Sequence, residues 1–366
     1  MTITGHATAE ATSHYRDRFP NAALDHFRPQ QHLTLSSIGI GTYLGSPNDA
    51  TDQSYTDAVI KAVHLGVNVI DSAANYRFQR SERSIGKALE KLTGSGFNRD
   101  ELIICTKGGY LPFDSAPPTN VRQYIEETFV KPGIASFDDF VGGSHCMTPA
   151  YLQHQLDQSL TNLGLECIDV YYIHNPESQL SHISQSEFYY RLEKAFERLE
   201  TNRQEGKLRN YGVATWNGFR VDKDARGFHS LVQMVELAQK VGGEEHGFKF
   251  IQLPFNLGMP EALTLLNHEV AGQPVTLLEA AAALEVTVVA SASMLQGRVA
   301  KDLPATVREP LGSLESDAQT AIQFVRSTPG ITTALIGMSR VEHVEENLQL
   351  VNVAPVGAEA FAKLFS

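Results

Sequence analysis

An aspartate and a tyrosine, Asp71 and Tyr76, close an apolar run and precede a helical one in the stretch Val67-Asn-Val-Ile-Asp71-Ser-Ala-Ala-Asn-Tyr76-Arg-Phe-Gln-Arg-Ser81-Glu82-Arg-Ser-Ile-Gly86. Val67, Val69 and Ile70 suit a buried strand, and Ser81-Glu82 with Ile85 and Leu89 starts a helical spacing. The turn between them therefore presents an acid and a phenol at the carboxyl end of a strand, where α/β proteins bind their ligands. Lys107 ends the next apolar run and His174 the one after that. An aspartate beside a lysine holds the ammonium in place. The ammonium in turn favours a phenolate and is expected to draw the Tyr76 pKa down from its reference of about 10. A tyrosine of this kind would be a usable general acid: it could protonate a carbonyl oxygen while a hydride reaches the carbon, with His174 donating a hydrogen bond that orients that oxygen. Each residue alone has a plainer reading, as a turn residue, a half-buried aromatic, a solvated lysine or a satisfied histidine. Their convergence at three strand ends on one face is what argues for chemistry.

The elements that must position them alternate along the chain. Strands are expected at residues 37–42, 67–70, 102–106, 168–173, 210–213, 248–253, 286–290 and 333–336, where short apolar runs stand. Helical spacings follow the first seven, over 52–65, 81–92, 148–163, 186–204, 230–241, 277–284 and 316–326. Thr148-Pro149 reads as a helix start and Gly164 as a stop. Eight strands alternating with helices imply a closed, parallel eight-stranded (β/α)8 barrel of the TIM type, one domain over residues 31–366. Residues 1–30 are polar and mixed and are expected to be a flexible lead-in. One connection is oversized: about 40 residues separate Lys107 from Thr148, with a short helical stretch at 121–129 and many Pro and Gly. Because this loop, residues 108–147, leaves the third strand beside the site, a cover for a substrate pocket is the favoured reading over a neutral insertion. His145 within it reads as solvated.

Composition narrows the function classes. In 366 residues there are 42 acidic against 30 basic side chains, a formal charge of −12, which repels phosphate backbones and anionic membrane surfaces. Cys105, Cys146 and Cys167 show no pairing or metal pattern and fit small core positions in a reducing compartment. No window approaches the roughly 20 apolar residues of a bilayer span, and the first residues lack a signal layout, so a cytoplasmic protein is expected. Nucleic-acid and membrane partners are not expected.

The Asp71-to-Tyr76 motif, with Ser81-Glu82 and Gly86, resembles the signature of the aldo-keto reductase superfamily, with a few residues inserted before the Ser-Glu pair. Gly41-Thr42-Tyr43, Thr106-Lys107, Ser159-Leu-Thr-Asn-Leu-Gly164, Ile168-Asp169, His174-Asn-Pro176, Gly206-Lys-Leu-Arg209, Gly212-Val213, Gln252, Pro329-Gly330 and Glu346-Asn347 extend the likeness over residues 33–350. The resemblance implies a nicotinamide cofactor held without a Gly-rich dinucleotide fold, NADPH in the first place with NADH left open. It also implies the tetrad Asp71, Tyr76, Lys107 and His174. Further implied are carboxamide contacts from Thr215 and Gln252, and a pyrophosphate lying along Ser291, Leu295, Gly297 and Arg298. The adenosine end would meet Gly337, Ser339, Arg340, His343, Glu346 and Asn347. Arg340 would grip a 2′-phosphate, because a guanidinium presents fixed donors to phosphate oxygens; its plainer reading is a surface arginine paired with Glu342 or Glu345. The chain departs from the usual pattern at Ala214-Thr215, where Ser-Asn is common, at Ser291, where an aromatic often stacks on the nicotinamide, and at His343.

Tyr43, Trp216 and the long loop would shape the pocket for a small-molecule carbonyl. The reaction expected is reduction of an aldehyde or ketone to an alcohol, by a protein that is monomeric by default. Two rivals stand beside it. Some barrels of the superfamily are auxiliary subunits of ion channels, so a cofactor-sensing interaction protein with little turnover would keep the same tetrad. A metal-dependent hydrolase would draw on His154, His174, His182 and Asp169, whose spacing forms no ligand set.

Overall fold

Alternating apolar runs build the barrel that the sequence implies. The computed structural model describes residues 2–365. Its parallel strands are β1 (Ile38–Gly41), β2 (Val69–Asp71), β3 (Ile103–Gly108), β4 (Ile168–His174), β5 (Leu208–Ala214), β6 (Phe248–Pro254), β7 (Thr287–Ser291) and β8 (Ile331–Gly337). They close in sequence order, with β8 paired to β1. Around them lie α1 (Asp49–His64), α2 (Arg80–Thr93), α3 (Pro149–Leu163), α4 (Gln185–Gln204), α5 (Leu231–Gly242), α6 (Leu277–Ala283), α7 (Asp317–Ser327) and α8 (Val341–Asn347). The eighth helix lies in the stretch expected to meet adenosine, beyond the seven helices that the sequence spacing predicts.

Side chains alternate across a strand, and that period sorts the barrel into two cores. Ile70, Ile104, Tyr171 and Ile251 face the helices. Val69, Ile103, Val170, Phe250 and Val289 face inward and form a second cluster inside the barrel. Two residues further along β2, β4, β6 and β7 the same inward phase reaches Asp71, Tyr172 then His174, Gln252 and Ser291. On β3 it passes Cys105 and reaches Lys107. The polar side chains thus stand at the carboxyl end of a column whose lower rungs are apolar.

The amino-terminal segment is not a flexible lead-in, and that expectation is corrected. Ala9–Asp17 is a helix, and Phe27–Gln30 pairs antiparallel with Leu33–Ser36 in a hairpin. Leu33, Leu35 and Ala7 join the inner cluster and plug the bottom of the barrel. The Tyr15 hydroxyl donates to the carbonyls of Val63, at 2.6 Å, and Val67, at 3.0 Å. The polar composition concealed this because one tyrosine and a few leucines carry the docking.

Asp169, counted among the hydrolase residues, belongs to the same end. Its Oδ2 accepts from Arg99 Nη2 and from the Ile104 amide, both at 2.7 Å, and its Oδ1 accepts from the Ala7 amide at 2.7 Å. His182 bonds Ser181, and His154 packs edge-on to Phe129. Among the described residues no group of three metal-ligating side chains exists, and no helix is long and apolar enough to cross a membrane.

Residues 108–147 form a small body of their own. The expected helix runs only from Val121 to Ile125 and continues as a wider turn over Glu126–Val130. Ile125, Phe129, Phe140 and Cys146 pack with Tyr151 of α3 in a separate apolar cluster. Breaking a buried pair strands its partner's charge, so Arg99→Ala is expected to cost about 3–5 kcal/mol in chemical denaturation. A loss within about 0.5 kcal/mol, the range of ordinary surface changes, would show that Asp169 does not need its partner.

Candidate active site

The turn after β2 is held by the residues that gave the motif its pattern. Ser81 Oγ donates to the Thr42 carbonyl at 2.8 Å, which fastens α2 to the end of β1. Glu82 accepts from Thr106 Oγ1 at 2.6 Å and Asn162 Nδ2 at 2.8 Å, fastening it to β3 and α3. Gly86 is required by close packing: a Cβ there would lie 2.8 Å from the Asn162 carbonyl oxygen and 2.9 Å from that of Leu163. The inserted Arg77, Phe78 and Gln79 all adopt left-handed backbone, with φ of 47°, 58° and 67°. Such residues cost roughly 1–2 kcal/mol each. Arg77 offsets part of this by donating to Asp52 at 2.5 Å, Ser81 at 3.1 Å and Ser84 at 3.2 Å.

Above the inner core, Lys107 Nζ donates to Asp71 Oδ1 and, at 2.7 Å, to the Ser72 carbonyl. Both side chains are buried. Burial opposes the Lys107 charge, but Asp71 and Tyr76 facing it hold the ammonium above its ordinary pKa. The ammonium lies 5.0 Å from the centroid of the Tyr76 ring. The Tyr76 pKa is nevertheless raised, because burial of the phenol outweighs the pull of Lys107. The expected downward shift is therefore corrected, and Tyr76 is a firmly protonated acid. His174 lies 5.8 Å from Tyr76 between ring centroids. Burial first, and then Lys107, push its pKa well below the ordinary value, so the imidazole is neutral.

Gln252 joins this group from β6. Its amide donates to Asp71 Oδ2 at 2.9 Å, which makes it a third member of the buried ion pair. His145, read as solvated, is buried: its Nε2 donates to the His174 carbonyl at 2.7 Å while Nδ1 accepts from Gln179 at 3.0 Å. These partners fix its neutral tautomer, and burial pushes its pKa down to about 4. Tyr110 stands edge-on to both His145 and His174, with centroids 5.2 Å away in each case. Neither role has a signal in sequence, because both depend on how the long loop returns to β4.

A cavity of about 720 Å3 opens over this group. Tyr43, Tyr76, His174 and Trp216 line it, and Tyr43 packs edge-on to Tyr76 at 4.9 Å. Tyr110 is the one residue of the 108–147 loop among the lining residues, so the loop forms a wall through one ring and not a cover. Thr215, Gln252, Ser291, Leu295 and Gly297 line the same space, as do Gly337, Ser339 and His343. Arg298, Arg340, Glu346 and Asn347 do not. Arg340 is exposed and makes no ion pair among the described residues; Glu345, one of its anticipated partners, binds Lys61 at 2.6 Å.

The model of the "Aldo/keto reductase family" matches residues 37–234. The chain belongs to the aldo/keto reductase family. It is thereby an NAD(P)H-dependent oxidoreductase on a (β/α)8 barrel. An L-glyceraldehyde 3-phosphate reductase of Escherichia coli O157:H7 is 25% identical over 365 residues, covering 91% of this chain and 88% of that one. A Schizosaccharomyces pombe protein provisionally named as a voltage-gated potassium channel subunit beta is 23% identical over 363 residues, covering 94% and 91%. The fold is shared with an aldo/keto reductase from Klebsiella pneumoniae, solved in complex with NADP and acetate. That structure gives a TM-score of 0.63 at 18% identity, over 93% of this chain and 94% of the other.

For this aldo/keto reductase the burial of His145 has a measurable consequence. An unfolded histidine takes up a proton near pH 6.5, whereas the folded His145 does so only at about 4. Its contribution to stability is therefore complete above about pH 6.5 and is lost as pH falls from there toward 4. By NMR, His145 and His174 are expected not to titrate between about pH 5.5 and 8, the range in which a free imidazole changes charge. A midpoint near 6.5 for either ring would contradict the burial described.

Proposed function

We propose that the chain reduces an aldehyde or ketone to the alcohol with NADPH, Tyr76 supplying the proton. The observation that carries this reading is a protonated phenol at a cavity mouth with a buried ammonium beneath it and a neutral imidazole beside it. When bound, NADPH supplies a hydride and leaves as NADP+. Tyr76 hydroxyl donates its proton to the carbonyl oxygen, so that the C=O bond becomes a C–H and an O–H. Lys107 stabilises the phenolate left behind, and Asp71 with Gln252 keeps that ammonium in place. His174 orients the oxygen before transfer.

The lining fits a nicotinamide nucleotide at several points. Thr215 Oγ1 is buried without a partner, as a residue awaiting an amide would be. Gly297 and Gly337 leave backbone accessible, and Ser339 and His343 continue the channel toward the exposed Arg340. Gln252 is committed to Asp71, and Ala214 stands at the end of β5, so Thr215 would carry more of the carboxamide contact. The free Arg340 guanidinium supports a 2′-phosphate and hence NADPH, with NADH as the weaker ligand.

The substrate end is aromatic, formed by Tyr43, Tyr110 and Trp216, and no lysine or arginine is among the lining residues. This supports a neutral carbonyl over a phosphorylated one. The alternative, a cofactor-sensing auxiliary protein, is supported by the full-length likeness to the provisionally named channel subunit. Turnover separates the two. Mixed with NADPH and a panel including benzaldehyde and methylglyoxal, the protein is expected to consume the reduced cofactor. Tyr76→Phe should lose roughly a hundred- to ten-thousand-fold in kcat, the usual worth of a positioned acid, while still binding NADPH. Nucleotide binding without turnover of any carbonyl would favour the auxiliary reading. Arg340→Ala is expected to weaken NADPH binding about tenfold or more and leave NADH binding unchanged. Equal loss for both would remove the 2′-phosphate assignment.

A further inference from the structure

The peptide that carries Trp216 is gripped by charge on both sides. After β4, Pro176–Ser181 forms a short turn, and from it Glu177 reaches across to the loop that follows β5. Glu177 Oε1 accepts from the Trp216 amide at 2.5 Å and from the Asn217 amide at 3.0 Å. On the other side Arg220 Nη1 donates to the Trp216 carbonyl at 3.1 Å, and Arg220 is itself anchored by two bonds to Glu261, at 2.9 and 3.1 Å. Between these grips Trp216 is 43% exposed and lines the cavity. An exposed aromatic side chain ordinarily samples several rotamers and backbone states; here the backbone part of that freedom is removed.

Glu177 is an unusual residue for a mere surface cap. Its side chain is nearly buried, and its other oxygen, Oε2, has no hydrogen-bond partner. His229 Nε2 lies 3.7 Å from that oxygen, beyond hydrogen-bond reach, with its ring stacked on Phe188 at 4.8 Å. Burial works against the Glu177 charge, but His229 and the two loop amides hold its pKa below the ordinary glutamate range. A carboxylate with one oxygen spent on two consecutive amides acts on the direction of the chain at that point, and the residue it directs is the tryptophan of the pocket wall.

Building on the reductase reading, we infer that Glu177 is a positioning residue for substrate selection: it fixes the Trp216 indole as the wall against which the ring of an aromatic carbonyl packs. Benzaldehyde reaches that wall, whereas methylglyoxal, with a single methyl group beyond its two carbonyls, gains little from it. Glu177 touches neither the proton donor nor its ion pair, so its influence falls on binding of the ring and not on proton transfer.

Trp216 is the single tryptophan in the chain, so its fluorescence reports on this loop alone. Glu177→Ala, which removes the acceptor, is expected to raise the acrylamide quenching of Trp216 and lower its anisotropy. It should raise KM for benzaldehyde about tenfold, with kcat and KM for methylglyoxal changed by about twofold or less. Glu177→Gln keeps an oxygen acceptor and should recover most of the benzaldehyde KM. On a Trp216→Ala background, Glu177→Ala should add less than about twofold, since the wall it positions is gone. Unchanged tryptophan fluorescence, equal KM changes for both substrates, or full additivity with Trp216→Ala would each overturn the proposal. If the parent protein reduces no carbonyl, the reductase reading fails, and acrylamide quenching in the presence of benzaldehyde then decides whether Glu177 governs the wall: protection of the parent but not of Glu177→Ala supports it, and equal protection overturns it.

Discussion

The buried pair of Asp71 and Lys107 is the interaction on which the rest of the site depends. Two opposite charges out of water are tolerated only when nearly every polar atom around them is satisfied. Here Asp71 uses one oxygen for Lys107 and the other for Gln252, and Lys107 also bonds the Ser72 carbonyl. The arrangement draws on β2, β3 and β6, so the barrel must close before the pair is complete. What it supplies is a fixed positive charge beneath Tyr76. That charge does not make the phenol more acidic than a free one; it moderates the larger effect of burial, and the phenol stays protonated.

The barrel places this pair by strand phase. Inward side chains are apolar on the lower rungs, and the same alternation that fills the core delivers Asp71, Lys107, His174 and Gln252 to the carboxyl ends of their strands. The Ser81-Glu82 pair then acts as a clamp, tying the helix after the Tyr76 turn to β1 and to the residue preceding Lys107. Gly86 lets that helix approach α3. The Ser81, Glu82 and Gly86 part of the motif is thus scaffolding, its spacing explained by packing contacts.

The strands were legible because buried runs in a parallel sheet are apolar and short, and the helices because their apolar residues recur every three to four positions. Asp71, Lys107 and His174 stood out because each lies at the carboxyl end of a strand, and Tyr76 because it lies in the turn that follows one. What escaped reading depends on contacts distant in sequence. Gln252 turns to Asp71 across 181 positions, His145 folds back to His174, and Tyr15 docks a segment whose composition looks disordered. Charge balance escaped as well: a lysine beside a tyrosine predicts a lowered pKa only if burial is left out, and burial is a property of the folded barrel.

The account rests on Tyr76 acting as a protonated donor supported by a permanently charged lysine, and the pH profile of kcat for NADPH-dependent carbonyl reduction tests this most directly. The expected profile is flat from about pH 6 to 9, with His174 neutral throughout, and falls with a single deprotonation above the ordinary tyrosine value of about 10. A break near neutrality, or an alkaline limb that survives in Tyr76→Phe, would contradict it.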